Sequence, residues 1–263
     1  MDNALRRFGV LAPPGNIALE RELPRLLPQG VTMNHNRLSR PGSGITSESL
    51  LAMADSIDRA VHDLSQAYPE IILYGCTSGS FLAGIGHEAE IADRIAELSN
   101  IPSITTSTAV IAALRAVGAT HVFMVTPYPD DINRHEVEFL GHYGMSVGGW
   151  DAFRCATSEA IRQVSSEAVA DMVMSHSDRI ADCDAVFISC TNLLTTDQID
   201  TLEEQLGKPV VSSNQASLWA VLRYLDVDMG TVSSGSLFKN YARISEYISE
   251  PGRVETRLAV GQS

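Results

Sequence analysis

The chain has 263 residues, 44% of them apolar, and a formal net charge of −13. That length suits one large or two medium domains with a real core, and the acidic balance argues against a nucleic-acid partner. No run of about 18 apolar residues occurs, so no membrane partner is expected, and "MDNALRRFGVLAPPGN" at the N-terminus does not read as a signal peptide. Four cysteines do not make a disulfide framework, and a soluble cytoplasmic protein with reduced thiols is expected.

Apolar strand-like runs alternate with helix-period segments along the chain. The first strand is expected at Phe8–Ala12, followed by a helix over Ile17–Leu26 and a strand over Val31–Leu38. The glycine-rich stretch Arg40–Ser49, a lid or a solvated loop, leads into a helix over Ser47–Ala67 with acid in its first turn. Strand Ile71–Gly75, helix Phe81–Leu98, strand Ser103–Thr105 and helix Ser107–Ala116 complete the first half. The second half reads as strands His121–Thr126, Ser146–Ala152, Ala185–Ser189 and Val210–Ser212. Its helices are Pro129–Tyr143, Ser165–Ile180, Thr196–Leu206 and Gln215–Leu225. This alternation implies the α/β class with parallel sheets.

The second half repeats the first. Pro13 in "LAPPGN" and Pro127 in "VTPYPDDIN" are 114 residues apart, and so are Cys76 in "GCTSGS" and Cys190 in "SCTNLL". "IPSITTSTAVIAAL" likewise matches "KPVVSSNQASLWAVL", there at an offset of 107. The chain therefore divides into a first α/β domain over 1–116 and a second over 117–225. The segment 226–263 is expected to pack back on the first. Ligands of open α/β sheets bind beyond the carboxyl ends of the strands. A pseudo-two-fold arrangement would therefore bring Cys76 and Cys190 to one interdomain cleft.

Several chemistries find no support. Lysine occurs only at Lys208 and Lys239, neither placed for a Schiff base. His87 in "GHEAE" lacks the second histidine of a zinc helix, and no G-x-G-x-x-G follows a strand. No metal and no cofactor are expected. What remains is two thiols, each at a strand end ahead of a helix, where the helix N-terminus favours thiolate. Thr77, Ser78, Thr191 and Asn192 follow them with N–H groups and side-chain donors suited to a carboxylate. A small dicarboxylate, or an acid activated at its α-carbon, fits this pattern. Cys155 and Cys183 have no repeat partner and read as structural.

These stretches, with "STAVIAALRAVG", resemble the aspartate/glutamate racemase superfamily over about Phe8–Tyr224, in its maleate cis-trans isomerase and arylmalonate decarboxylase branch. The resemblance implies two pseudosymmetric Rossmann-like domains with the active site in the interdomain cleft, and a homodimer or homotetramer. It also implies a cofactor-independent isomerase of a small unsaturated dicarboxylate, with Cys76 as nucleophile and Cys190 as acid/base. Decarboxylases of the branch carry glycine at the first cysteine position. A two-thiol racemase, an arylmalonate-type decarboxylase and a non-catalytic acid-binding protein stay open as alternatives. Asn16 matches a substrate-binding asparagine, or it caps the helix at Ile17. Tyr128 matches a carboxylate-binding tyrosine, or it is a turn aromatic. Ser158 stands where the isomerases carry an asparagine, and as the shorter residue it reads as a helix cap or a weaker ligand.

Overall fold

The computed structural model describes residues 5–240 and 243–252. Its first half runs β1 (Arg6–Ala12), α1 (Ala18–Glu22), β2 (Val31–Arg37), α2 (Ser47–Leu51), α3 (Ile57–Ser65), β3 (Ile72–Tyr74), α4 (Thr77–Phe81), α5 (His87–Ser99), β4 (Ser103–Thr105) and α6 (Thr106–Ala116). The second half runs β5 (His121–Thr126), α7 (Asp130–His142), β6 (Ser146–Ala152), α8 (Ser158–Arg162), α9 (Ser166–Met174), α10 (Ser177–Ile180), β7 (Ala185–Ile188), α11 (Ile199–Leu206), β8 (Val210–Ser212) and α12 (Ser213–Tyr224). Each half contributes one four-stranded parallel sheet. The orders, β2-β1-β3-β4 and β6-β5-β7-β8, are the same under the repeat. This is the expected α/β two-domain fold.

All eight strands lie within two residues of the apolar runs that mark them. The central strands are covered by helices on both faces, so they are apolar throughout rather than alternating. Phe8, Val10, Leu73, Phe123, Val186 and Phe187 are fully buried. Edge strands β2 and β6 are half-exposed and carry polar residues.

Helix boundaries depart further from expectation, for identifiable reasons. The helix expected over Phe81–Leu98 is two helices. Gly84 and Gly86 take φ +107° and +94°, a left-handed backbone that ends α4 and restarts the chain at His87. The run Ser165–Ile180 divides into α9 and α10 at Ser175–His176. The cap expected ahead of Ser47 forms, with Thr46 Oγ1 accepting from Ser49 N, and Ser212 and Gln215 close a capping box on α12 that was not foreseen.

The two halves meet along α6 and α12, which pack on each other. The contact is built from small residues such as Ala109, Ala216 and Ala220, with Ser217 Oγ donating to Thr106 Oγ1 at 3.0 Å. This axis sets the carboxyl ends of β3 and β7 facing one space. Beyond α12, Ser249 forms an antiparallel bridge with Ser103 of β4, and Arg115 donates to the Tyr247 hydroxyl. Residues 241–242 and 253–263 of the segment expected to return to the first half lie outside the described residues.

Candidate active site

Cys76 follows β3 directly and occupies the N-cap of α4 with an ordinary extended backbone, φ −142°. Its Sγ accepts from Gly79 N at 3.3 Å and lies 3.9 Å from Ser78 Oγ. Residue 79 has to be glycine here: a Cβ would stand 3.0 Å from that sulfur and 3.1 Å from the Tyr74 hydroxyl. Cys190 follows β7 differently. Its φ is +107°, a conformation that side-chain-bearing residues adopt only under constraint. The next helix, α11, starts at Ile199 rather than at the expected Thr196, so no helix N-terminus lies at Cys190. Asn192 N donates to the Cys190 Sγ at 3.3 Å, and Cys190 N donates to Ser213 Oγ at 3.0 Å.

Side chains from the two halves interlock around these thiols. Asn16 Nδ2 donates to Thr191 Oγ1 at 2.8 Å, and Thr191 Oγ1 donates to the carbonyl of Gly75 at 3.0 Å. Asn16 Oδ1 meanwhile accepts from Leu19 N, so this residue caps the first turn of α1 and also reaches the opposite half. Asn192 Oδ1 accepts from Ile17 N at 3.0 Å. Beneath them the buried Glu22 carboxylate accepts from Thr195 N, Thr196 N and Asn214 Nδ2. Desolvation raises its pKa despite these donors.

Eight of the nine expected site residues line a single cavity between the halves. The exception is Thr77. Its hydroxyl donates to Ser213 Oγ at 2.9 Å, joining the halves behind the cavity instead of lining it. Ser158 lines the cavity but is not a helix cap. Thr157 caps α8 by accepting from Ala160 N, while Ser158 Oγ accepts from Arg40 Nη2 at 2.6 Å. Tyr128 is buried against Cys190 and hydrogen-bonds its thiol, so it is no plain turn aromatic. The cavity is small: it admits the centres of water-sized molecules over about 30 Å³, room for roughly two or three waters and too tight for a large ligand. Arg40 and the apolar Ile45, Leu50 and Ile161 complete the walls and were not singled out from the sequence. The glycine-rich stretch carrying Arg40 crosses to the second half, where Ile45 N donates to the carbonyl of Ala156.

The sequence model of the arylmalonate decarboxylase family matches residues 8–238. The chain belongs to the arylmalonate decarboxylase family. A curated arylmalonate decarboxylase of Bordetella bronchiseptica is 31% identical over 82% of this chain and 89% of its own length. A maleate isomerase of Nocardia farcinica is 27% identical over 92% of this chain and 98% of its own. Among solved structures, the maleate isomerase Iso of Pseudomonas putida S16, a cysteine-to-alanine variant with maleate, superposes with a TM-score of 0.82. It is 27% identical and covers 89% of this chain and 98% of its own. A cysteine-to-serine variant of the Nocardia farcinica maleate cis-trans isomerase, carrying a covalently bound succinylcysteine intermediate, gives a TM-score of 0.81 at the same identity and coverage.

In this member of the arylmalonate decarboxylase family the two thiols have unequal surroundings. Burial pushes the Cys76 thiol up from its ordinary value, against the opposing pull of Gly79 N–H, Ser78 and the Arg40 guanidinium. Burial pushes Cys190 further, to about 12. There the Tyr128 and Asn192 hydrogen bonds are opposed by negative charge on Cys76 and Glu136. At Cys76 desolvation thus outweighs the donors at the start of α4, and at Cys190 no helix terminus is present to oppose it. Glu136 itself is buried in α7, accepts from Ser189 Oγ, and has its pKa raised to about 8 by burial. One of its oxygens, Oε2, is buried with no partner among the described residues.

Proposed function

We propose that this protein is a cofactor-independent cis-trans isomerase of a small unsaturated dicarboxylate, of the maleate-to-fumarate type. The observation that carries this reading is the pair of buried thiols facing one small cavity, Cys76 accepting from the Gly79 N–H beside Arg40 and Cys190 buried against Tyr128. Cys76, favoured as thiolate by the Gly79 N–H and the Arg40 charge, adds through sulfur to one alkene carbon. The alkene π pair moves toward the neighbouring carboxylate as enolate-like charge, held by N–H and hydroxyl donors. Cys190, whose raised pKa keeps its proton in place, protonates the adjacent carbon. The adduct is then a succinyl thioether with a single bond where the alkene stood. After rotation about that bond, the Cys190 thiolate removes the proton, the C–H electron pair re-forms the alkene as the C–S bond breaks, and the trans acid leaves with Cys76 as thiolate and Cys190 as thiol. The succinylcysteine adduct of the Nocardia farcinica relative supports this sequence of steps.

Asn16, Tyr128, Ser158, Thr191 and Asn192 are proposed to bind the substrate, with Ser78 beside the nucleophile. Thr77 contributes its backbone N–H alone. Proton NMR in D2O with maleate tests the proposal. The alkene signal of maleate is expected to give way to that of fumarate in the wild type, and to persist in Cys76→Ser and Cys190→Ser. Full activity in either variant overturns the two-thiol route. Deuterium entering the α-carbon of aspartate or glutamate, with maleate untouched, points to a racemase instead.

A further inference from the structure

Arg40 is a cation inside the cavity with no carboxylate beside it, and the opposite charge that acts on it is that of an ionised Cys76. Its four hydrogen bonds all go to neutral acceptors: Gly44 O at 2.7 Å, Ser43 O at 3.3 Å, Ser49 Oγ at 3.2 Å and Ser158 Oγ at 2.6 Å. None of the ion pairs among the described residues involves it, although acidic residues outnumber basic ones in this chain. Its Nε is buried and has no partner. Ser158 Oγ accepts from Arg40, and its own proton meets no acceptor among the described residues. Arg40 and Ser158 both line the cavity, and each keeps one donor without an acceptor among the described residues, Arg40 Nε–H and Ser158 O–H. A partly desolvated guanidinium without a carboxylate partner is costly to hold, and a planar carboxylate is the group that matches its donor geometry.

We propose that Arg40, with Ser158, is the specificity-determining carboxylate site of this protein: it takes the substrate carboxylate remote from the attacking sulfur, the carboxylate partner that no described residue of the protein provides. The assignment rests on the isomerase reading for the identity of the substrate, but not for the existence of the site. It selects a substrate carrying a second anionic group over one with an apolar substituent at that end. It also accounts for a serine at position 158, since a shorter side chain leaves space for the guanidinium to reach the cavity.

The test uses alkylation of Cys76, which needs no turnover. 3-Iodopropionate and 3-iodopropanamide both form a thioether with loss of iodide, and only the first carries a carboxylate, separated from the sulfur by two carbons as the remote carboxylate of a succinyl thioether is. Peptide-resolved mass spectrometry gives the ratio of their rates at Cys76. In Arg40→Met this ratio is expected to fall about 10- to 100-fold, the equivalent of a hydrogen bond to a charged group. Arg40→Lys is expected to retain most of it. With maleate as substrate, Arg40→Met should raise KM by a similar factor and lower kcat less. An unchanged ratio in an Arg40→Met protein with a wild-type melting temperature overturns the proposal. If Arg40→Met does not fold, a Ser158→Ala protein with unchanged ratio and KM overturns the paired site. A wild type that shows the Arg40-dependent ratio but leaves maleate unconverted supports the anion site and rejects maleate as its substrate.

Discussion

Cys76 and Cys190 end equivalent strands of two sheets built in the same order, yet the chain leaves them by different routes. After Cys76 it enters α4, which presents the Gly79 N–H to the sulfur, and Arg40 adds positive charge from the side. After Cys190 it turns through a left-handed residue into a loop, with the Tyr128 hydroxyl in front and the acidic Glu136 nearby. A duplicated backbone delivers two thiols to one cavity. What separates their chemistry is the unequal set of donors and charges around each, the general way in which paired titratable groups acquire different roles.

Removing each thiol should produce the largest effect and bears most directly on that difference. Cys76→Ser and Cys190→Ser are each expected to lower turnover of maleate by roughly 10³-fold or more. Intact-mass spectrometry should then find one maleate added covalently to Cys190→Ser and none to Cys76→Ser. The opposite pattern would exchange the two roles.

Glu136 supplies the next largest effect, in stability. Its folded carboxyl, raised to about 8 from an ordinary 4.5, keeps a proton that the unfolded chain releases. The stability it contributes is therefore complete below the unfolded pKa and is lost as pH rises through the folded one. Glu136→Gln removes that loss, and is expected to be more stable than the wild type by roughly 4 kcal/mol above about pH 8 but little changed near pH 4.5. Urea unfolding at the two pH values measures it, and equal shifts at both would assign the effect elsewhere.

A smaller difference is expected in reactivity. At about pH 8.5 iodoacetamide should label Cys76 at least about tenfold faster than Cys190, because the fraction present as thiolate controls the rate. Peptide mapping reads the ratio, and equal labelling would remove the basis for distinguishing acid from nucleophile. The smallest effect is that of Ser213→Ala, which deprives both Thr77 Oγ1 and Cys190 N of their acceptor. A destabilisation of about 1–3 kcal/mol is expected, with maleate turnover lowered through the displaced Cys190. Unaltered denaturation and turnover would show that neither bond is needed to hold the strained residue.

The strands and the pairing of the halves were legible because both are written locally. Buried parallel strands such as Ala185–Ile188 need uninterrupted apolar residues, and a duplication keeps its offset in the chain. The helices after the cysteines were less legible. "TSGSF" has weak helix formers and little apolar periodicity, and α4 forms because its residues are buried between the halves. Thr77 and Thr191 look equivalent in sequence, but only Thr191 lines the cavity, since the hydroxyl of Thr77 is taken by Ser213 from the opposite half. Arg40 was visible only as part of a glycine-rich connection.

The sequence by itself determined the α/β class, the duplicated order of strands and the two cysteines at strand ends, because periodicity, apolar runs and repeat spacing are properties of neighbouring residues. Only the tertiary structure decided which side chains face the cavity, that burial raises each thiol and that Arg40 has no carboxylate partner. Those depend on groups more than a hundred positions apart, such as Arg40 and Ser158, brought within hydrogen-bonding distance by the packing of one half on the other.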